Sequence, residues 1–88
     1  PEIGQLTNLT WLYLEGNQLT TLPPEIGKLT KLTELQIERN PLTDTGLEHL
    51  KSLKSLKRLN LCDTKVTNTG VESFKKVLPN CEVEVLRN

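Results

Sequence analysis

Cysteine and histidine have the widest chemistry of any side chains in this 88-residue sequence, which contains only two cysteines and one histidine. Cys62 and Cys81 are separated by eighteen residues. A zinc site needs about four nitrogen or sulfur ligands and usually includes a closely spaced cysteine pair. The sequence lacks that pattern, so we interpret His49 as a solvated helix residue. We therefore expect neither a metal site nor a bound cofactor.

Catalytic motifs are also missing from the sequence. There is no glycine-rich phosphate loop and no nucleophile elbow, and the serines have no neighbouring base. We therefore expect a protein that is not an enzyme. Two cysteines do not make a disulfide scaffold, so we predict two free thiols, one buried and one partly exposed. Free thiols are typical of a reducing compartment, and the expected location is the cytoplasm.

Charge and hydropathy limit the classes of partner. Eleven lysines and arginines balance eleven acidic residues, giving a formal net charge of zero. A nucleic-acid or anionic-membrane binder normally carries a basic excess, so neither partner is expected. The longest apolar runs are only two or three residues, too short for a membrane span.

The elements that position these residues are indicated by a repeat. An eleven-residue pattern has apolar residues at its first, fourth, sixth and eleventh positions and Asn or Thr at its ninth. Complete copies cover 9–19, 32–42 and 56–66. A shortened fourth copy begins at Leu78, with Val83 and Val85 at its strand positions. Such regular self-similarity indicates stacked structural units.

Apolar and polar residues alternate at the centre of each copy, as in a half-buried β-strand. One such strand cannot bury its apolar side alone, so the copies are expected to stack into a parallel sheet. Asn17 and Asn40, at the ninth position, are suited to bonding the backbone of adjacent turns. Thr64 takes that place in the third copy, where its hydroxyl is expected to do part of the same work.

The pattern resembles the leucine-rich repeat family over essentially the whole chain. That resemblance implies an α/β, right-handed solenoid with a concave parallel sheet of three or four strands and a convex side of extended segments followed by short helices. It also implies a C-terminal fragment of a longer protein. We expect one domain, 1–88, made of a preceding repeat's tail (1–8), repeats 9–31, 32–55 and 56–80, and a terminal strand (81–88).

The connecting segments differ in character. Pro23 and Pro24 prevent a regular helix between the first two copies, so an extended or single-turn segment is expected there. The next two connections have apolar residues at helical spacing. Asp44 and Asn68 are the predicted N-caps of these helices.

Outward strand positions of successive copies are expected to form four columns, which we call the strand face. The columns are Trp11, Glu34, Arg58, Glu82; Tyr13, Gln36, Asn60, Glu84; Glu15, Glu38, Cys62, Leu86; and Gly16, Arg39, Asp63, Arg87. This face carries six acidic residues against three arginines. We expect Glu34 and Glu82 to flank Arg58, so the charges serve either neutralisation between strands or an acidic patch that faces a ligand.

Trp11 and Tyr13 are the strongest candidates for partner contact, because exposed Trp and Tyr are the commonest binding hot spots. Shielding of the sheet surface is the structural alternative. The predicted partner-binding residues are Trp11, Tyr13, Glu15, Glu34, Gln36, Glu38, Arg58 and Asn60.

These observations favour a non-catalytic protein–protein interaction module with a basic or mixed-charge protein partner. The alternatives are the recognition part of a larger signalling enzyme, such as a ubiquitin ligase or kinase, and a purely structural C-terminal cap. The N-terminal apolar edge is expected to promote self-association. That edge comprises Ile3, Leu6, Leu9, Leu12 and Leu14.

Overall fold

Four short parallel strands form one sheet. The computed structural model describes residues 8–86, and the sheet order is β1-β2-β3-β4. The strands are β1 (Trp11–Tyr13), β2 (Glu34–Gln36), β3 (Arg58–Asn60) and β4 (Glu82–Glu84). Pairing aligns Trp11 with Glu34, Glu34 with Arg58, and Arg58 with Glu82. The predicted parallel solenoid and the first two columns of the strand face are confirmed.

A helical segment follows each of the first three strands. A single 3₁₀ helix, Pro24–Lys28, connects β1 to β2, with proline at its first position. Helix α1 (Asp44–Glu48) connects β2 to β3, and the ten-residue helix α2 (Asn68–Val77) connects β3 to β4. The expected change from a single turn to helices is confirmed. Within residues 8–86, no helix has the length and apolar character needed to cross a membrane.

The predicted N-caps are wrong by one residue, because the caps are Thr43 and Thr67. The Thr67 hydroxyl accepts a hydrogen bond from the Gly70 N–H at 3.1 Å and donates one to Asp44 Oδ2 at 2.6 Å. Asp44 Oδ1 also accepts from the Thr67 N–H at 2.8 Å. Asp44 therefore joins the start of α1 to the start of α2. Any side chain at position 70 would collide with the Asp44 carboxylate.

The core is made mainly of leucine and lies between the sheet and the connecting helices. Leu32, Leu35 and Ile37 are 0 % exposed. Their counterparts in the first repeat are only partly buried: Leu9, Leu12 and Leu14. Ile3 and Leu6, the other members of the predicted apolar edge, lie outside the described residues, as do Arg87 and the rest of segments 1–7 and 87–88. Self-association through this edge stays a prediction.

The side chain of Asn40 links the first repeat to the second. It is 1 % exposed, and both its oxygen and its nitrogen are bonded. Oδ1 accepts from the backbone N–H of Asn17 at 2.8 Å and of Leu19 at 2.9 Å. Nδ2 donates to the carbonyls of Leu14 and Ile37 at 2.9 Å and of Glu38 at 3.2 Å. The predicted role of this asparagine is confirmed.

Thr64, which occupies the position of Asn40 in the third repeat, makes fewer hydrogen bonds. Thr64 is 7 % exposed, and its hydroxyl donates to the Leu61 carbonyl at 2.8 Å. This bond corresponds to the one from Asn40 to Ile37. Within residues 8–86, the Thr64 side chain accepts no hydrogen bond from the preceding repeat. The two repeats are linked here by a backbone bond instead, from the Lys65 N–H to the Leu42 carbonyl at 2.8 Å. The hydroxyl therefore does part of the work of an asparagine, as expected.

A left-handed backbone residue precedes each of these polar side chains. The φ angles are 70° at Gly16, 60° at Arg39 and 57° at Asp63. Glycine adopts this region without cost, aspartate tolerates it, and arginine is strained there. The bend that turns the following side chain inward therefore recurs even where the sequence lacks glycine.

Replacing Asn40 with alanine is expected to lower the free energy of unfolding by about 1–3 kcal/mol, because it leaves backbone groups of two repeats without partners. Urea unfolding measures the change. Asn17→Ala is the matched control, since among described residues the Asn17 side chain donates only to the Glu15 carbonyl, at 3.2 Å and in an exposed position. Equal losses in the two variants would contradict the role assigned to Asn40.

Thr64→Asn is expected to raise the free energy of unfolding by about 0.5–1.5 kcal/mol, the net value of a typical hydrogen bond. The new amide would supply acceptors for the backbone N–H groups of Asn40 and Leu42, the counterparts of Asn17 and Leu19. Thr64→Ser, which keeps only the hydroxyl, is the control. An asparagine variant no more stable than the serine variant in urea would contradict this explanation.

Candidate functional site

Strand β1 places two aromatic side chains side by side on the strand face. Trp11 and Tyr13 are two residues apart, so they point to the same side of the sheet. Their ring centroids are 5.3 Å apart and the ring planes are inclined by 42°. This separation is within the favourable range for an aromatic pair. The side chains nevertheless remain 59 % and 52 % exposed, which gives the sheet an outward aromatic surface.

The carboxylate of Glu34 lies beside this aromatic pair and is held by two hydrogen bonds. Its Oε2 atom accepts from the Tyr13 hydroxyl at 2.9 Å and from Gln36 Nε2 at 2.9 Å. Both bonds reach the same oxygen, so Tyr13, Glu34 and Gln36 form one connected polar group. The bonds favour one rotamer of each of these three side chains, which lowers the entropy lost when a partner binds.

Glu34 and Glu82 flank Arg58 in the strand register, as expected, but among described residues neither carboxylate forms a salt bridge with it. Between described residues, the salt bridges are Arg39–Glu15 at 3.2 Å and Lys51–Glu48 at 2.7 Å. Glu34 bonds Tyr13 and Gln36 instead. An exposed ion pair between Glu34 and Arg58 would gain little in water, because it must order two long side chains. Tyr13 and Gln36 are already held close to Glu34 by the sheet, so bonding them costs less order.

The pKa of Tyr13 is raised above its ordinary value of 10.0. The main cause is the hydrogen bond that its hydroxyl donates to Glu34, which is lost when the phenol ionises. Partial desolvation and the negative charge of Glu34 act in the same direction, and the positive charge of Arg58 opposes them. The phenol is therefore a stable hydrogen-bond donor to the carboxylate at neutral pH.

The remaining predicted site residues lie where the strands end. Glu15 forms its salt bridge with Arg39, and Asn60 Oδ1 accepts from the Cys62 N–H at 3.0 Å. Glu38 is half-buried, and its Oε1 atom is shielded from solvent with no hydrogen-bond partner. A shielded carboxylate oxygen without a partner costs stability. The fold therefore does not explain the position of Glu38.

The strand face is acidic. Among described residues it carries six carboxylates against the guanidinium groups of Arg39 and Arg58, since Arg87 lies outside them. The lysines lie elsewhere, on the connecting segments and turns. An acidic surface of this kind attracts basic partners and raises their association rate at low salt.

The two thiols are free and have the contrasting burial that was predicted. Cys81 is 3 % exposed, and burial raises its pKa to about 11. Cys62 is half-buried on the strand face. His49 is also half-buried. In the part of the chain that the structure describes, no three His, Cys, Asp or Glu side chains are arranged to hold a metal ion.

The repeat pattern predicts that these residues share one face, but it does not predict the hydrogen bonds of Glu34. The register of β1 and β2 puts Glu34 directly opposite Trp11 and one diagonal step from Tyr13. Diagonal neighbours on parallel strands are within reach of long side chains. The diagonal positions of Tyr13 and Glu34 in the predicted sheet are therefore the feature of the sequence from which this bond could be predicted.

Comparison with known proteins agrees with this geometry. Residues 7–52 match a family model for leucine-rich repeats in two copies, and residues 48–75 match a second leucine-rich repeat model. A solved leucine-rich repeat protein of Leptospira interrogans is 42% identical, with a TM-score of 0.85 over 94% of this chain. The chain spans 21% of that protein's length. No curated protein matches the chain.

Tyr13 is the only tyrosine in the sequence, so phenolate absorbance during a pH titration reports this group alone. We expect a midpoint above 10.0 in the folded protein. Because the folded-state pKa is raised, the stabilisation by this bond is complete below the unfolded pKa and is lost as pH rises through the folded pKa.

Glu34→Gln is expected to return the Tyr13 midpoint towards 10.0, because it removes the ionised acceptor. Glu82→Gln makes the same charge change in the same column, away from the tyrosine, and is the control. A Tyr13 midpoint that responds equally to the two substitutions would contradict the direct bond to Glu34.

Proposed function

Because the chain belongs to the leucine-rich repeat family, we propose that it is a non-catalytic module that binds a protein partner through the strand face. Leucine-rich repeat domains are generally protein-interaction modules. A rigid, extended sheet surface suits a macromolecular partner better than a small substrate, which requires a concave pocket.

The observation that carries this proposal is the ordered aromatic pair. Trp11 and Tyr13 are exposed, while the inward residue between them, Leu12, packs against the core. The fold therefore needs Leu12 but does not require aromatic rings at positions 11 and 13. Large aromatic side chains that are exposed and already ordered are typical centres of protein interfaces.

The charge of the strand face supports a basic or mixed-charge partner. Glu34 and Glu38 lie in the second repeat, next to the aromatic pair, and Glu15 follows β1. Carboxylates around an aromatic centre act mainly on the association rate and on the choice of partner, and salt screens their effect. Gln36, Arg58 and Asn60 are proposed as polar contacts at the margin.

A reducing location, the cytoplasm, forms part of the same proposal. Its support is that Cys62 and Cys81 are both free and differ in burial, so they project into different surroundings. Self-association through the apolar residues of the first repeat is proposed as a second contact mode. Its support is their partial burial, in contrast to their counterparts in the second repeat.

Trp11→Ala and Tyr13→Ala are each expected to weaken partner binding by about 2 kcal/mol or more, the threshold of a hot spot. The wild-type protein and the variants are immobilised and exposed to the same cell extract. The amounts of the proteins that each one retains are then compared. The retained partner is then purified, and its affinity is measured for each variant. Circular dichroism checks that the variants fold.

The matched control is Lys75→Ala with Lys76→Ala, which removes two exposed side chains from α2 on the other side of the molecule. We expect the partner to be retained by this control. A partner that is lost on changing the lysines, and retained on changing both aromatic residues, would move the binding surface to the helical side.

A further inference from the structure

We propose that Trp11, Tyr13 and Glu34 form a subsite for one arginine side chain of a protein partner. This inference rests on the proposed function and assigns the chemistry of the group that the site takes. Three observations combine to support it: an open carboxylate oxygen, two outward aromatic rings, and the negative charge of the surrounding surface.

The first observation concerns the two oxygens of Glu34. Both hydrogen bonds, from Tyr13 and Gln36, reach Oε2 at 2.9 Å. Within residues 8–86, the other oxygen, Oε1, has no hydrogen bond and no salt bridge. A carboxylate carries about four acceptor sites. One oxygen therefore fixes the group in place while the other remains available to a donor from a partner.

The second observation concerns the rings. The ring centroids of Trp11 and Tyr13 lie 5.3 Å apart and both residues are more than half exposed, so part of each ring is open to a ligand. Trp is the best aromatic partner for a cation that stacks on its ring. The Tyr13 hydroxyl gives its hydrogen to Glu34, so its oxygen can still accept one from a ligand. A donor group above the rings can therefore bond to both the Tyr13 hydroxyl oxygen and Glu34 Oε1.

The third observation concerns charge. In the register of the sheet, Glu34 lies between Trp11 and Arg58, but Arg58 makes no salt bridge with a described carboxylate. Arg39 is occupied by Glu15 at 3.2 Å. The guanidinium groups of the described arginines, Arg39 and Arg58, thus leave Glu34 without a salt bridge. Arg58, the in-register neighbour of Glu34, reduces the local attraction for a cation. The six carboxylates of the strand face still outnumber its two described arginines and favour a cation over a neutral group.

Arginine fits these features better than lysine does. Its guanidinium is planar, stacks on aromatic faces, is weakly hydrated and carries five N–H donors. It can lie on Trp11 while donating to Glu34 Oε1 and to the Tyr13 hydroxyl oxygen. A lysine ammonium is compact and strongly hydrated, so it satisfies the carboxylate but gains less from the rings.

The test uses the only tryptophan in the chain, which lies in the proposed subsite, so intrinsic fluorescence reports binding there. The 88-residue protein is titrated with a capped Gly-Arg-Gly peptide. The same peptide with citrulline, a neutral isostere of arginine, is the ligand control. We expect a concentration-dependent change in fluorescence that is largest with the arginine peptide, smaller with the same peptide carrying lysine, and absent with the citrulline peptide. The binding is weak, because exposed stacking and an exposed charge pair each raise the affinity only about fivefold.

Glu34→Gln is expected to weaken binding of the arginine peptide by about two- to fivefold, the range for an exposed charge pair. Glu82→Gln, with the same charge change in the same column, is expected to change it less. Equal binding of the arginine and citrulline peptides, or equal effects of the two substitutions, would overturn the subsite. Circular dichroism confirms that both variants are folded.

This outcome is separable from that of the proposed function, since the peptide titration involves no partner. If the arginine peptide fails to bind while Trp11→Ala abolishes partner binding, the subsite is wrong and the strand face remains the binding surface. If the peptide binds while partner binding is unchanged in Trp11→Ala, the three side chains can take an arginine but the partner does not use them, and the proposed function is wrong.

Discussion

The buried amide of Asn40 is the interaction on which the arrangement of the strand face depends. Its oxygen binds two backbone N–H groups of the first repeat, and its nitrogen binds carbonyls of both repeats. No apolar side chain can replace it, because the bend after each strand contains backbone groups that neither helix nor sheet satisfies. A leucine core alone would hold the repeats together without fixing the register between their strands. The amide supplies that directional constraint.

The site follows from this constraint through the register of the strands. With the first two repeats fixed, Trp11 lies opposite Glu34, and Tyr13 is one diagonal step from it. A slip of one residue would turn the outward aromatic rings into the core and would expose Leu12. The bond from Tyr13 to Glu34 therefore exists only because the register is exact. In this protein the structural amide and the proposed binding surface are parts of one arrangement.

Much of this arrangement could be predicted from the sequence, since burial follows a period of two within each strand. The strands, the leucine core and the columns follow from that regularity, and the role of Asn40 follows from its ninth position in the repeat. The choices among polar partners do not. Glu34 has Arg58 beside it but bonds Tyr13 and Gln36, and the free energies of such exposed alternatives differ by little. The N-caps were misplaced for a similar reason. Both Thr67 and Asn68 suit an N-cap, and the bond from Thr67 to Asp44 in the neighbouring repeat decides between them.

Amide hydrogen exchange at Asn17 tests the role of Asn40 most directly. Asn17 is an exposed residue in a bend, and its N–H is bonded to Asn40 Oδ1 at 2.8 Å. Exchange at this amide and at Leu19 is measured by NMR in the wild-type protein and in Asn40→Ala, under conditions where both remain folded. We predict slow exchange at both amides in the wild-type protein. We also predict faster exchange at both in the variant, while amides bonded between β3 and β4 stay protected. Exchange at Asn17 and Leu19 that is fast in the wild-type protein, or unchanged in the variant, would contradict the account.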